Sequence, residues 1–287
     1  MISGQYSGCG VLVADPVDNT IEVLPNSNQV VINYYKKLAN GNILLTGSKT
    51  VYIYDFINNT LTCIYTASTY ITYNTFLETS NGFVILTGGV SSASGSTLLL
   101  DTSNNEIVPV YSSAKYDVFL ELSNGNVLAV NSDRNLQVYG VLHVNTTEKS
   151  ASIIDGTEDN YGLILLGEFD GKVFISDAGV GLTHFYVYNV ESGLLDTYTG
   201  NSKIGLVVQI DNDNFLLVGN GYQGDICHFN ISTGTITLLY DASYMEYWSS
   251  FTRDNNGITL IYDAASGSTA QQNLYYSYET GEITKVQ

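Results

Sequence analysis

One short pattern recurs along the chain and limits what it can fold into. It is Asn or Asp, then Gly, then four or five apolar residues, often closed by another Gly. It reads NGNILLTG at 40–47, NGFVILTGG at 81–89 and NGNVLAV at 124–130, then NYGLILLG at 160–167, DNFLLVG at 213–219 and NGITLIY at 256–262. With Gly41, Gly82, Gly125, Gly162, Asn214 and Gly257 as anchors, the spacings are 41, 43, 37, 52 and 43 residues. Asn-Gly supplies the positive φ angles of a tight turn, and an unbroken Leu, Ile and Val run suits a strand covered on both faces. A period near 40 built of such units is the signature of a repeat architecture.

A second element follows each of the first. An alternating strand enters a turn holding Asn or Gly and another strand leaves it, as in VYIYDFINNTLTCIY at 51–65, HFNISTGTITLLY at 228–240 and LYYSYETGEITKV at 274–286. The expected left-handed turn positions are Asn19, Asn59, Asn105, Gly140, Gly193, Gly234 and Gly281, residue types that tolerate that conformation. Four strands per unit, named a, b, c and d, joined a–b by the first turn and c–d by the second, predict an all-β fold: a β-propeller of four-stranded antiparallel blades. No stretch competes as a long amphipathic helix. The units fall near 30–65, 69–111, 115–147, 150–198, 204–240 and 244–287, after a partial one at 11–25 with a short extra strand at 2–7. This reads as one domain of seven blades with an incomplete first blade; six blades plus an extra hairpin is the alternative.

The strings resemble kelch-type propeller repeats, including those of the galactose-oxidase class. Gly88 and Gly89 match the kelch diglycine, and Gly47, Gly167 and Gly219 match its first position. Tyr54 and Asp55 match the tyrosine and aspartate of the following strand. The tryptophan of the kelch d strand is absent from every unit. The resemblance implies a propeller shape and no particular activity.

Composition excludes several functions. Ten Lys and Arg against 28 Asp and Glu give a net charge of −18, and only Arg134 and Arg253 are arginines. Ten bases in 287 residues do not make the basic face that phosphates or anionic lipids require, so neither nucleic acid nor membrane is an expected partner. The longest apolar runs are four to six residues, too short to span a bilayer, and MISGQYSGCG at the start lacks the features of a secretory signal. A cytoplasmic or virion-associated chain is the expectation. Cys9, Cys63 and Cys227 are scattered and include no CxxC pair, which argues against a disulfide framework or a zinc knuckle.

Repeated positions are scaffold, so function is sought where copies differ. On these anchors, nearly all length variation lies between strands b and c, the longest insertion being GEFDGKVFISDAGVGLTH at 167–184. Others are VSSASGS at 90–96, GNGYQGD at 219–225 and DAASGSTAQQN at 263–273. In an up-and-down meander the b–c and d–a loops share one face, where a rigid scaffold carries binding residues. The candidate binding set is Tyr70, Tyr116, Asp170, Phe174, Asp177, His184, Tyr222, Gln223, Asp225, Tyr244 and Trp248. Tyrosine combines a large apolar ring with a hydroxyl, which suits proteins and sugars. The opposing reading is that the d–a tyrosines pack between blades.

No catalytic signature emerges. Asp211, Asp213 and Asn214, like Asp155, Asp159 and Asn160, resemble the start of a calcium loop but lack its full spacing. Ca²⁺ at these turns or at Asp170, Asp177 and Asp225 is a secondary reading, and no cofactor is expected. Adjacent strand residues Cys227 and His228 point to opposite faces, which argues against a shared copper. Two arginines cannot form a sialidase triad, and no GxSxG, P-loop or HExxH occurs. The sequence therefore points to a non-enzymatic interaction or structural module that binds a protein or glycan through its loop face, in a larger assembly such as a viral or phage particle. The alternative is a glycan hydrolase or lyase using a carboxylate pair.

Overall fold

A computed structural model of the chain describes residues 2–3, 11–15, 20–24, 27, 30–91, 94–132, 138–177, 183–200, 203–221, 224–242, 246–262 and 273–286. These residues form 27 strands, and no helix occurs among them. Six antiparallel meanders of four strands follow a three-stranded sheet, the blades expected of a β-propeller. Blade one is β1 (Ile2–Ser3), β2 (Leu12–Asp15) and β3 (Thr20–Val23). Blade two is β4–β7 (Tyr34–Lys37, Ile43–Thr46, Thr50–Asp55, Thr60–Thr66). Blade three is β8–β11 (Thr72–Glu78, Phe83–Ser91, Ser94–Asp101, Glu106–Tyr111). Blade four is β12–β15 (Val118–Glu121, Val127–Val130, Leu142–Asn145, Ser150–Ile153). Blade five is β16–β19 (Leu163–Phe169, Lys172–Asp177, Thr183–Asn189, Leu195–Gly200). Blade six is β20–β23 (Ile204–Gln209, Asn214–Gly221, Ile226–Asn230, Thr235–Tyr240), and blade seven is β24–β27 (Glu246–Arg253, Gly257–Tyr262, Leu274–Ser277, Ile283–Lys285). Where the sequence suggests one domain, contacts group the chain into two compact units, Met1–Ile154 and Asp155–Gln287.

The repeated apolar run is strand b, and its period of two serves two neighbours. In blade three, Val84 and Leu86 pack with Leu44, Val51 and Ile53 of blade two. Ile85, between them, packs with Val127, Ala129, Leu142 and Val144 of blade four. Both faces of the strand are thus interior, which is why it carries no polar alternation. Full burial of each such side chain contributes about 1.5–3 kcal/mol. The Gly that closes the run has a separate cause: a Cβ on Gly88 would overlap the carbonyl oxygen of Thr72 on the neighbouring strand, and one on Gly47 would overlap that of Val31.

The turns lace adjacent blades. Glu78, ending strand a of blade three, accepts the Ala39 amide of the preceding a–b turn at 2.7 Å. Glu121, its counterpart in blade four, accepts the Ser80 amide at 2.7 Å. At the c–d turns the last residue of strand c caps the backbone: Asp55 to Ile57, Asp101 to Ser103, Asn145 to Glu148, Asn189 to Glu191, Asn230 to Thr233 and Ser277 to Thr280. Asx and Ser turns of this kind satisfy amides the ladder leaves free.

Three expectations change. The a–b turn of blade five is Asp170-Gly171, with φ of 48° and 73°, and not the turn at Gly162. EFDGKVFIS is the fifth copy of the pattern, and 163–169 is strand a rather than b. Gly125 to Gly171 is 46 residues and Gly171 to Asn214 is 43, so the irregular spacings of 37 and 52 disappear. The insertion at 167–184 disappears with them, because 167–177 is the end of strand a, the a–b turn and strand b. Second, the c–d turn of blade four is not at Gly140. Its left-handed position is Lys149, at φ 51°, and β15 belongs to blade four, so the fifth unit begins at 163 rather than 150. Third, VSSASGS at 90–96 is largely paired: Ser91 opposes Ser94 and Gly89 opposes Gly95.

Candidate functional site

The loop side of blade two is built by three short segments. The Asn33 amide donates to the Thr46 carbonyl at 2.8 Å, the Ala67 amide to Lys49 at 2.8 Å and the Ile71 amide to Ser48 at 3.0 Å. Asn33 Nδ2 also reaches Ser48 Oγ at 3.4 Å. This lacing fixes the d–a and b–c segments against each other with their backbone groups used internally. Large side chains remain outside: Tyr70 is 61% exposed, Val31 52% and Tyr34 42%. The Lys49 ammonium stands 5.7 Å from the Tyr70 ring centroid, an exposed cation–π contact worth about 0.5–1 kcal/mol. An aromatic ring, an aliphatic side chain and a cation thus project from a backbone whose own groups are satisfied.

The other d–a tyrosines among the described residues belong to the scaffold. Tyr65 meets Tyr73 edge-on at 6.3 Å, Tyr111 meets Tyr116 at 5.8 Å and Tyr240 meets Trp248 at 6.0 Å. Each pair joins strand d of one blade to the start of the next, so one position is copied in three blades. Tyr116 is 0% exposed and Trp248 is buried, so neither presents a ring to a partner. Burial pushes the Tyr73 hydroxyl up to about 12 and raises that of Tyr116 further. The Thr of the repeated Leu-Thr-Gly bonds across the same joint: Thr46 Oγ1 donates to the Tyr73 carbonyl at 2.7 Å, and Thr87 Oγ1 donates to that of Tyr116.

The remaining candidates scatter. Asp170 lies in an a–b turn, away from the loop side where the sequence reading places it, and accepts from Gln209 Nε2. Asp177 stands at the other end of β17, about 20 Å away at ~3.3 Å per residue. Phe174 is buried among Phe185, Phe215 and Phe229 and offers nothing to a ligand. Asp225 is buried and accepts the Ala242 amide at 3.1 Å, while His184 is exposed on β18. Tyr222, Gln223 and Tyr244 lie outside the described residues, as does most of 263–273. The Asp211 carboxylate accepts the amides of Asp213 and Asn214 at 2.9 Å and the Asn214 side chain at 2.8 Å, so it acts as a turn cap. Those bonds, with His228 nearby, hold it below the usual carboxylate range. Among the described residues no group of three or more His, Cys, Asp or Glu is placed to hold a metal ion.

Sequence reasoning missed a cleft of about 390 Å³ between blades six and seven, lined by Ile210, Asp211, Asn214, His228, Tyr276 and Tyr278. It opens at the a–b and c–d turns, opposite the loop side. The Tyr276 and Tyr278 rings meet edge-on at 6.1 Å. The signal was faint, because Tyr276 occupies the strand-c position that Tyr54 and Tyr188 hold in other blades.

No protein-family model matches the chain, and no curated protein matches it in sequence. Among solved structures, it is similar to a chain of the "Crystal Structure of Mitotic Checkpoint Complex", with 10% identity, TM-score 0.46, and 89% of this chain and 76% of that one covered. It is also similar to the "Crystal structure of the tricorn protease", with 12% identity and TM-score 0.40; there 98% of this chain spans 28% of the other. Neither likeness assigns a family or an activity.

Proposed function

We infer that the chain is a non-enzymatic interaction module that binds a protein partner through the loop side of blade two. The observation that supports this most is the exposed group of Val31, Tyr34 and Tyr70, with Lys49 beside the Tyr70 ring, on segments whose backbone bonds are internally satisfied. Exposed aromatic and aliphatic side chains grouped on a fixed surface mark interfaces. The reading includes the seven blades working as one domain, since the corrected repeat runs on at an even period through residue 154. It also takes the partner to be a neighbouring chain of a larger assembly, a virion being one such setting, in keeping with a polar surface that carries little positive charge.

A photo-crosslinking amino acid in place of Tyr70 tests this. The expected result is a discrete crosslinked species in the source extract, absent when the same group replaces Leu194, which is 67% exposed in the c–d turn of blade five. Identical patterns at both positions, or none, would count against it.

A further inference from the structure

The cleft between blades six and seven is independent of the blade-two surface. Its polar groups divide into two classes. Asp211 and Asn214 are committed to the turn, and Asn214 Oδ1 also accepts from Asn230 Nδ2 at 2.9 Å. The His228 imidazole and the Tyr276 and Tyr278 hydroxyls have no hydrogen bond among the described residues, although all three line the cleft. The first class fixes the wall. The second leaves donors and acceptors unsatisfied where a ligand would sit. Asp211 Oδ2 accepts a single bond, from Asn214 Nδ2 at 2.9 Å, so a carboxylate lone pair also remains.

We propose that this cleft binds one neutral pyranose unit, the end of a glycan. Its volume falls at the small end of ligand sites, which run from about 300 to 1,000 Å³. A sugar ring presents hydroxyls that both donate and accept, and C–H faces that pack on aromatic rings. Imidazole, phenol and carboxylate groups serve the hydroxyls. The paired Tyr276 and Tyr278 rings and Ile210 serve the C–H face. An anionic ligand is disfavoured by the Asp211 charge. A cation would be drawn to the same Asp211 charge and would leave the phenol and imidazole groups without hydroxyl partners, so it is the competing ligand in the test.

The test is saturation-transfer NMR with the methyl glycosides of galactose, glucose, mannose and N-acetylglucosamine, and with Nα-acetyl-lysine amide as the cationic probe. Transfer to the ring protons of at least one glycoside is expected, with little to the lysine probe. His228→Ala and Tyr278→Phe should each weaken that binding about five- to tenfold through one lost hydrogen bond, without lowering the melting temperature. Tyr70→Ser should leave it unchanged, which separates this site from the protein-binding one. No transfer to any glycoside, transfer only to the lysine probe, or parent-like affinity in both cleft variants would overturn the proposal.

Discussion

The Glu121 carboxylate accepts both the backbone amide and the hydroxyl of Ser80, at 2.7 and 2.6 Å. One side chain thereby ties strand a of blade four to the a–b turn of blade three, as Glu78 ties blade three to blade two. Both are solvent-exposed joints, so each is worth less than a buried charged hydrogen bond. Glu121→Ala is expected to cost about 1 kcal/mol, and a double variant with Glu78→Ala should cost the sum, because the joints share no partner. Urea denaturation of the single and double variants measures both.

The tyrosines separate into scaffold and surface, and substitution should show it. Tyr116→Ala empties a fully buried site and is expected to cost about 3–5 kcal/mol. Tyr70→Ala removes an exposed ring and its contact with Lys49 and should cost no more than about 1 kcal/mol. Thr87→Val keeps the shape but leaves the buried Tyr116 carbonyl without its hydroxyl donor, at a cost of about 1–3 kcal/mol. Thermal unfolding of the three variants checks the order.

Lys149 occupies a left-handed turn position, at φ 51°, where other blades place Asn or Gly. Its ammonium reaches Asp101 at 3.4 Å and pairs with Glu106, and the bonds to these acids raise its pKa. Lys149→Gly exchanges an exposed ion pair for relief of that conformation, so the melting temperature should barely move. Lys149→Val loses the pair and puts a β-branched residue at positive φ, so it should melt lower. Equal melting of the two variants would contradict this.

Acid should destabilise the fold through its turn caps. Asp55, Asp101 and Asp211 are held below the ordinary value of 3.8, chiefly by bonds from Asn58, Ser103 and Asn214 respectively. A carboxyl with a lowered folded pKa contributes stability that is complete above its unfolded value and is lost as pH falls through the folded value. The urea midpoint should therefore fall below about pH 4. The gap between parent and Asp211→Asn should narrow over the same range. A gap constant from pH 6 to pH 3 would contradict the assignment.

Blade architecture was legible because the strand-b run, buried on both faces, and the Asn-Gly turns state it locally. Even the short first blade was readable, from VLVADPVDNTIEVLP. Two registers were misread for physical reasons. Asp170 takes the left-handed position that a search for Asn-Gly passes over, and Gly162 nearby mimics it with its own positive φ of 69°. Lys149 was hidden because lysine at positive φ carries no compositional mark, while Gly140, at φ 79°, carries the expected one. The candidate site was less legible. Tyr70 and Tyr116 occupy similar stretches of sequence, and only the packing of Tyr111 against Tyr116 separates the buried ring from the free one. The cleft depends on His228 and Tyr276, about 50 residues apart, which no local pattern connects.

The most direct test of the central claim compares capture by the parent chain and by Tyr70→Ser from the source extract, quantified against unfolding curves of both. The account predicts a defined partner retained by the parent and reduced at least about tenfold in the variant, as for loss of an interface aromatic, with unchanged stability. Equal capture by two equally stable chains would contradict it.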